Sequence, residues 1–285
     1  MPNPPHRVRF GIQTPQQNTT WPEMLRIWQE VDTLGYDTAW VFDHFLPIFS
    51  DATGPCMEGW TALAALAMAT SRVRVGVMVT GNTYRHPAVL AKMATTVDII
   101  SEGRLILGIG AGWFELEHRQ YGMPFHTKGG RLRRLDEALE VIKLLWTQER
   151  ASFSGSHYQL REASFNPKPL QKPHPPILVG AGGENIGLGI VARHAQIWNS
   201  FGTPDVFKHK IARLGDHCQR IGRDPAEIEK SVLLEGEFPL NELHRQIDAY
   251  AAVGVTHLIF SVSAATDRDF VRRFAQEIIP AYKSQ

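Results

Sequence analysis

Asp43 and His44 stand side by side at the end of the apolar run AWVF and interrupt a stretch that resumes as FLPIF. A carboxylate next to an imidazole can hydrogen-bond the polar edge of a bound ring, and the imidazole can move a proton near neutral pH. The same pair also suits a structural duty, capping a strand and fixing the loop after it. A second candidate is the stretch RLILGIGAGW, where Gly108, Gly110 and Gly112 lead through Ala111 to Trp113. Glycines after a strand often let backbone approach a phosphate. A dinucleotide fingerprint, however, is spaced GxGxxG, sits in the first βα unit and has an acidic residue about twenty positions on. Here the spacing is GxGxG, four units into the chain. What is left is a choice between thinning a crowded wall and offering bare backbone to a flat ring. A third cluster is Gly180, Ala181, Gly182 and Gly183, followed by Glu184 and a helical stretch. Backbone N–H groups there can cradle a phosphate at a helix N-terminus. The alternative is a tight turn with positive φ.

These residues need elements to hold them, and the chain alternates regularly between two kinds. Short apolar runs over residues 7–14, 37–44, 72–80, 104–112, 175–183, 195–201, 228–234 and 255–262 read as strands. Helical patterns follow each, several opened by a proline, as at Pro22 and Pro87. Strands that are apolar throughout rather than alternating belong to a parallel sheet covered by helices. Eight such units in 285 residues predict a closed (β/α)8 barrel, a TIM barrel, as one domain over 1–285. A segment of about 123–170, with a helix from about Arg131 to Trp146 and a hairpin turning at Ser154–Gly155, reads as an insertion after strand four beside the barrel mouth. Barrel active sites lie at the C-terminal strand ends. That rule gathers Asp43, His44, Val77, Met78, Thr80 and both glycine clusters onto one face, with the eighth strand ending at 261–263. The run RLRR from Arg131 reads as a solvated helix face, and Arg85–His86 as the flank of the helix that begins at Pro87.

Composition narrows the partners. Thirty basic residues balance 29 acidic ones, so nothing draws the chain electrostatically to nucleic acid or an anionic membrane. With 43% hydrophobic residues a large core can form. The longest apolar run, WTALAALAMA, is too short to span a bilayer, and no signal core precedes residue 10. Two distant cysteines and twelve histidines outside any metal-ligand spacing give no disulfide scaffold and no metal site. A cytoplasmic protein acting on a small molecule is expected.

Together the stretches LGYDTAWVFDHF, VMVTGNTYRHPAVLAKMATTVDIISEGRLILGIGAGW, NPKPLQKPHPPILVGAGG and IGRDPAEI resemble the luciferase-like monooxygenase superfamily over nearly the full length. Within it the chain looks most like the oxidoreductases that use the deazaflavin coenzyme F420. The resemblance implies a barrel, often a homodimer, with a flavin or deazaflavin at its mouth. Asp43 and His44 would contact the ring. Val77–Met78 would form a strand-three bulge behind it, often with a non-proline cis peptide, with Thr80 just beyond. Gly110, Ala111, Gly112 and Trp113 would line the ring and ribityl side, and the loop Gly180–Ala181–Gly182–Gly183–Glu184 the phosphate. The sugar-phosphate dehydrogenase branch carries a tryptophan four residues after the histidine and a glutamate right after the strand-four glycines. This chain has Ile48 and Trp113 at those places.

The resemblance therefore implies hydride transfer between coenzyme F420 and a small organic substrate, with His44 as the catalytic residue. An FMN-dependent monooxygenase using molecular oxygen is the alternative. A flavin- or deazaflavin-binding protein without turnover is a third expectation.

Overall fold

The apolar runs form a ring of parallel strands, each followed by a helix that packs outside it. The structure, a computed structural model, describes residues 8–48, 50–236, 239–262 and 269–283. Strand β1 (Arg9–Gln13) leads to α1 (Trp21–Thr33), β2 (Thr38–Val41) to α2 (Gly59–Met68), and β3 (Arg74–Val77) through the two-residue β4 (Thr80–Gly81) to α3 (Pro87–Ile100). Strand β5 (Leu105–Gly110) is followed by α4 (Glu115–Gln120), α5 (Lys128–Thr147) and the strands β6 (Arg150–Ser154) and β7 (Gln159–Ser164). Then come β8 (Ile177–Gly180) and α6 (Gly187–His194), and β9 (Ile197–Ser200) with α7 (Pro204–Arg220). The chain closes with β10 (Glu229–Leu234), α8 (Leu240–Ala252), β11 (His257–Ser261), α9 (Phe270–Glu277) and α10 (Ile279–Lys283).

The sheet closes on itself. β1 pairs with β2 and β11, the ring runs on through β10, β9, β8 and β5, and β5 pairs with both β3 and β4. Counting β3 and β4 as one interrupted strand gives the expected (β/α)8 barrel. Two apolar layers hold it. Trp40, Ile106, Leu178, Ile197, Leu233 and Ile259, one from each of six strands, fill the barrel interior with Met78. The alternate strand residues, among them Phe10, Val75, Leu107 and Val179, pack outward under the helices.

Local chemistry starts the helices where the strands deliver the chain. Pro22, Pro87 and Pro204 occupy first-turn positions, where a missing N–H costs nothing. The Glu58 side chain caps α2 by accepting from the Trp60 and Thr61 amides.

Two expectations about this frame change, and one is left untested. The non-proline cis peptide lies between Met78 and Val79, one residue beyond the expected Val77–Met78 position. Within 123–170, α5 packs between α3 and α6 in the place of the barrel's fourth helix. What stands outside the βα pattern is thus α4 and the β6–β7 hairpin. That hairpin lies against α5, where Glu137 accepts from the Ser156, His157 and Tyr158 amides, and only its turn comes near the mouth, through Tyr158 to Asn82 at 3.5 Å. Finally, Ser263, expected at the end of the eighth strand, lies outside the described residues.

Candidate functional site

The C-terminal strand ends surround a cavity of about 730 Å³. Its wall includes Gln13, Phe42, Asp43, His44, Ile48, Met78, Val79, Thr80, Tyr84, Gly110, Ala111, Gly112, Trp113, Lys128, Arg131, Gly180, Ala181, Gly182, Gly183, Ser200 and Lys210. Twelve of the fourteen candidate residues meet there. Val77 and Glu184 are the exceptions. Val77 is buried in β3. Glu184 turns away to α7, its carboxylate 3.2 Å from His209 and its backbone carbonyl accepting from His217.

His44 projects from the loop after β2, and its Nδ1 is 3.0 Å from Glu117 Oε2. The same carboxylate accepts from the Tyr84 hydroxyl at 2.5 Å and from the Phe45 and Leu46 amides at 2.5 and 3.0 Å. Burial acts to raise the Glu117 carboxyl, but the bonds from His44, Tyr84 and the loop amide outweigh it and hold it below the usual range. An ionised Glu117 makes Nδ1 a donor, which leaves Nε2 as the nitrogen that can exchange a proton. Among the described residues Nε2 has no hydrogen-bond partner. The rings of Phe42, Trp113 and Phe114 stand edge-on to the imidazole at 5.0, 5.6 and 5.7 Å. The Cys56 thiol donates to the His44 carbonyl, and burial with the nearby Glu117 charge pushes it up to about 12, so it stays protonated.

Glu117 is a candidate site residue that the sequence reading missed. It lies on α4, whose six residues are all charged or polar except Leu116. The available signal was its place, five residues after the last strand-four glycine.

Asp43 is buried and internally satisfied. Arg85 grips both its oxygens at 2.6 and 3.0 Å and reaches Glu58 at 2.6 Å, while Thr80 donates to Asp43 at 2.7 Å. Arg85, read mainly as a flank of α3, thus ties the end of β2 to the starts of α2 and α3. In this arrangement Asp43 and Thr80 fix the cavity floor.

That floor is the kink at Met78–Val79. Gln13 donates its side-chain amide to the Met78 carbonyl at 2.8 Å. The strand-four glycines make room for the kink. A Cβ on Gly108 would lie 2.0 Å from the Val77 carbonyl oxygen, and one on Gly110 would lie 2.9 Å from a Val79 methyl. The sequence left two purposes open for these glycines; at both positions the tight neighbour is the chain's own kink.

The other end of the cavity carries Lys210, with Glu235 also on the wall. Lys210 on α7 donates to Ser200 and stands 3.5 Å from where a Cβ of Gly182 would be. The helix after this loop begins only at Gly187, so the first-turn amides of α6 are not those of Gly182 and Gly183. Arg131 also lines the wall, its Nε donating to the Gly112 carbonyl at 3.0 Å and its guanidinium over the Phe125 ring at 4.1 Å. The solvated reading of RLRR therefore fails at its first member, because the first turn of α5 points Arg131 back over the mouth.

The luciferase-like monooxygenase family model matches residues 6–257. An F420-dependent glucose-6-phosphate dehydrogenase of Kineococcus radiotolerans is 38% identical, the match covering 88% of this chain and 90% of that protein. An FMNH2-dependent dimethylsulfone monooxygenase of Pseudomonas putida is 29% identical over 73% of this chain and 59% of that protein. Among solved structures, an F420-dependent secondary alcohol dehydrogenase in complex with an F420–acetone adduct superposes with a TM-score of 0.85. That match is 19% identical and covers 97% of this chain and 99% of the other. No helix among the described residues is long and apolar enough to cross a membrane. With the family match running over most of its length, the chain belongs to the luciferase-like monooxygenases.

Proposed function

We propose that this protein is a coenzyme F420-dependent oxidoreductase acting on a small organic substrate. The observation that carries this reading is His44, held at Nδ1 by Glu117 on the wall of a cavity whose far end is a glycine-rich loop beside Lys210. The cavity suits the coenzyme. Its volume of about 730 Å³ lies in the usual range for small-molecule sites. Met78 and Val79 present backbone at its floor, and Gly110, Ala111 and Gly112 add a wall with little side chain. Gly182, Gly183, Ser200 and Lys210 would hold the phosphate. Among the described residues, apart from its two chain neighbours, no atom lies within 4 Å of where a Gly183 Cβ would be, which leaves space for a longer tail beyond the phosphate.

Bound there, the coenzyme supplies the hydride chemistry at its ring carbon. The protein supplies the proton route and the orientation. His44 takes or gives one proton at Nε2, and Glu117 keeps the imidazole in the tautomer that allows it. Asp43, neutralised by Arg85, holds Thr80 and with it the floor. Phe42, Trp113 and Phe114 stand edge-on to the imidazole and restrict how it turns.

Arg131 favours a second reading. A guanidinium on the cavity wall would suit the phosphate of FMN, and the oxygen-dependent monooxygenase is the corresponding activity. Titrating the protein with F420 and with FMN, followed by fluorescence, separates the two. Micromolar or tighter F420 binding, worth about 8 kcal/mol or more, with weaker FMN binding supports the proposal. Tighter FMN binding with oxygen consumption replaces it.

We also propose a cytoplasmic protein, whose two free thiols, Cys56 and Cys218, stay reduced there. A homodimer is proposed through the outer faces of α2 and α3, where Met68, Val89 and Ile99 are exposed. Sedimentation of Met68→Asp against the unaltered protein tests it, a monomer being expected from the variant.

A further inference from the structure

Four donors converge on the Glu117 carboxylate. Its Oε1 accepts from the Phe45 and Leu46 amides at 2.5 and 3.0 Å, and its Oε2 from His44 Nδ1 at 3.0 Å and the Tyr84 hydroxyl at 2.5 Å. A carboxylate offers about four lone-pair sites, so Glu117 is filled. The amides on Oε1 belong to the loop that carries His44, and they hold the carboxylate in place whatever happens at Oε2. At Oε2 the imidazole and the phenol share one oxygen. The other ionisable side chains nearby are engaged: the Cys56 thiol stays protonated, and Asp43 and Glu58 are both bonded to Arg85.

Tyr84 is built into this place. Its ring lies where a side chain on Gly81 would be, since a Cβ there would meet two ring carbons at 2.5 and 2.7 Å. Phe45 packs edge-on against the ring at 4.9 Å, and the His118 ring stacks on it at 5.1 Å. His118 is itself fully buried, its Nδ1 2.9 Å from the Phe114 carbonyl and its Nε2 2.7 Å from Thr83 Oγ1. Burial pushes the Tyr84 phenol far above its ordinary value, and the bond to Glu117 adds to it, so the hydroxyl stays a donor.

We propose that Tyr84 is a positioning residue that moderates the hold of Glu117 on His44. A hydroxyl donating to an ionised carboxylate makes one of the stronger hydrogen bonds in proteins. By drawing part of the Oε2 charge to itself, Tyr84 leaves the bond from Nδ1–H weaker than an unshared carboxylate oxygen would make it. A carboxylate that grips one ring nitrogen more tightly makes the other nitrogen a better base and a poorer acid. Sharing Oε2 therefore keeps Nε2 able to release the proton it accepts, and each turnover needs both steps. The inference rests on the reading of His44 as the residue that exchanges a proton at Nε2.

The proton resonance of His44 Nδ1–H reads the strength of this bond in the protein without coenzyme, and it is assigned by its loss from His44→Gln. Tyr84→Phe keeps the ring and removes only the hydroxyl, and the resonance is expected to move downfield as the bond to Glu117 tightens. Replacing Tyr84 by 3-fluorotyrosine makes the hydroxyl a stronger donor with little change of shape, and the resonance is expected to move upfield. Opposite shifts in the two proteins are the expected result. An unmoved resonance in either protein, or shifts of the same sign in both, overturns the proposal and leaves Tyr84 a packing residue. Should Tyr84→Phe not accumulate as folded protein, the fluorotyrosine protein against the unaltered one decides alone. A protein that binds no F420 yet shows the opposite shifts loses the coenzyme reading and keeps this role for Tyr84.

Discussion

Glu117 and His44, 73 positions apart in the chain, meet at 3.0 Å between Oε2 and Nδ1. The contact brings α4, six residues long, onto the loop after β2 and joins two strand ends across the barrel mouth. The Glu117 carboxylate also accepts from two backbone amides of that loop, so one buried anion fixes both the imidazole and the chain carrying it.

Replacing His44 by alanine should therefore lower turnover by about 10²–10⁴-fold, the usual worth of a positioned acid–base group. Glu117→Gln keeps the shape of the side chain but not its charge. It should cost turnover about tenfold or more while leaving coenzyme affinity nearly unchanged. Steady-state kinetics beside equilibrium titration reads both quantities, and unchanged turnover in both variants would return His44 to a loop-fixing role.

The packing of Val79 makes Gly110 a sensitive position. An alanine Cβ at Gly110 would meet a Val79 methyl at 2.9 Å, closer than carbon atoms normally approach. Gly110→Ala should destabilise the fold by about 1–3 kcal/mol, as overpacking does, and weaken coenzyme binding by moving the floor. At Gly108 the clash is with backbone oxygen at 2.0 Å, which cannot step aside, so Gly108→Ala should not accumulate as folded protein. Thermal melts and soluble yield decide both.

The barrel itself was legible because its eight strands are apolar on both sides, and burial on both sides is what a parallel barrel strand requires. The kink was not placeable to the residue, since apolar VGVMVT carries no mark of where the pleat breaks. The packing of Gly110 against Val79 fixes it in space. Glu117 escaped because ELEHRQ has the composition of a surface helix, and only the fold turns it inward. Arg85 and Arg131 escaped for the same reason: whether an arginine meets water or a carboxylate depends on neighbours far away in sequence. Asp43 and His44 stood out because a polar pair directly after an apolar barrel strand falls at the mouth, where polar groups meet a ligand or one another.

At the opposite barrel end His257 is fully buried, its Nε2 2.9 Å from Thr38 Oγ1 and its Nδ1 3.8 Å from Glu229. Burial, with Arg9 adding to it, pushes its pKa well below the ordinary histidine value. As pH falls through about 6.5 the unfolded chain takes up a proton that the folded state refuses. Folding stability should then fall by about 1.4 kcal/mol per pH unit until the depressed folded value is reached. Urea melts between pH 7.5 and 5.5 should show this slope, and His257→Gln should flatten it. A slope identical in both proteins assigns the acid sensitivity to other groups.

Lys210 offers the test of the phosphate end. It reaches the Gly182 loop from α7 with a hydroxyl, not a carboxylate, as its anchor, so its charge is available to a ligand. Both F420 and FMN carry a phosphate on the ribityl chain, and removing Lys210 should weaken both by a similar factor, about tenfold at low salt. Because the loop is open to solvent, the interaction should also be screened, so the difference between Lys210→Gln and the unaltered protein should shrink as ionic strength rises. Riboflavin, which has the ring but no phosphate, should bind the two proteins alike. Titrations of these three ligands at two salt concentrations separate the possibilities. An equal loss for riboflavin means that Lys210 supports the loop rather than the anion. No loss for any of the three moves the phosphate to Arg131 and strengthens the FMN reading.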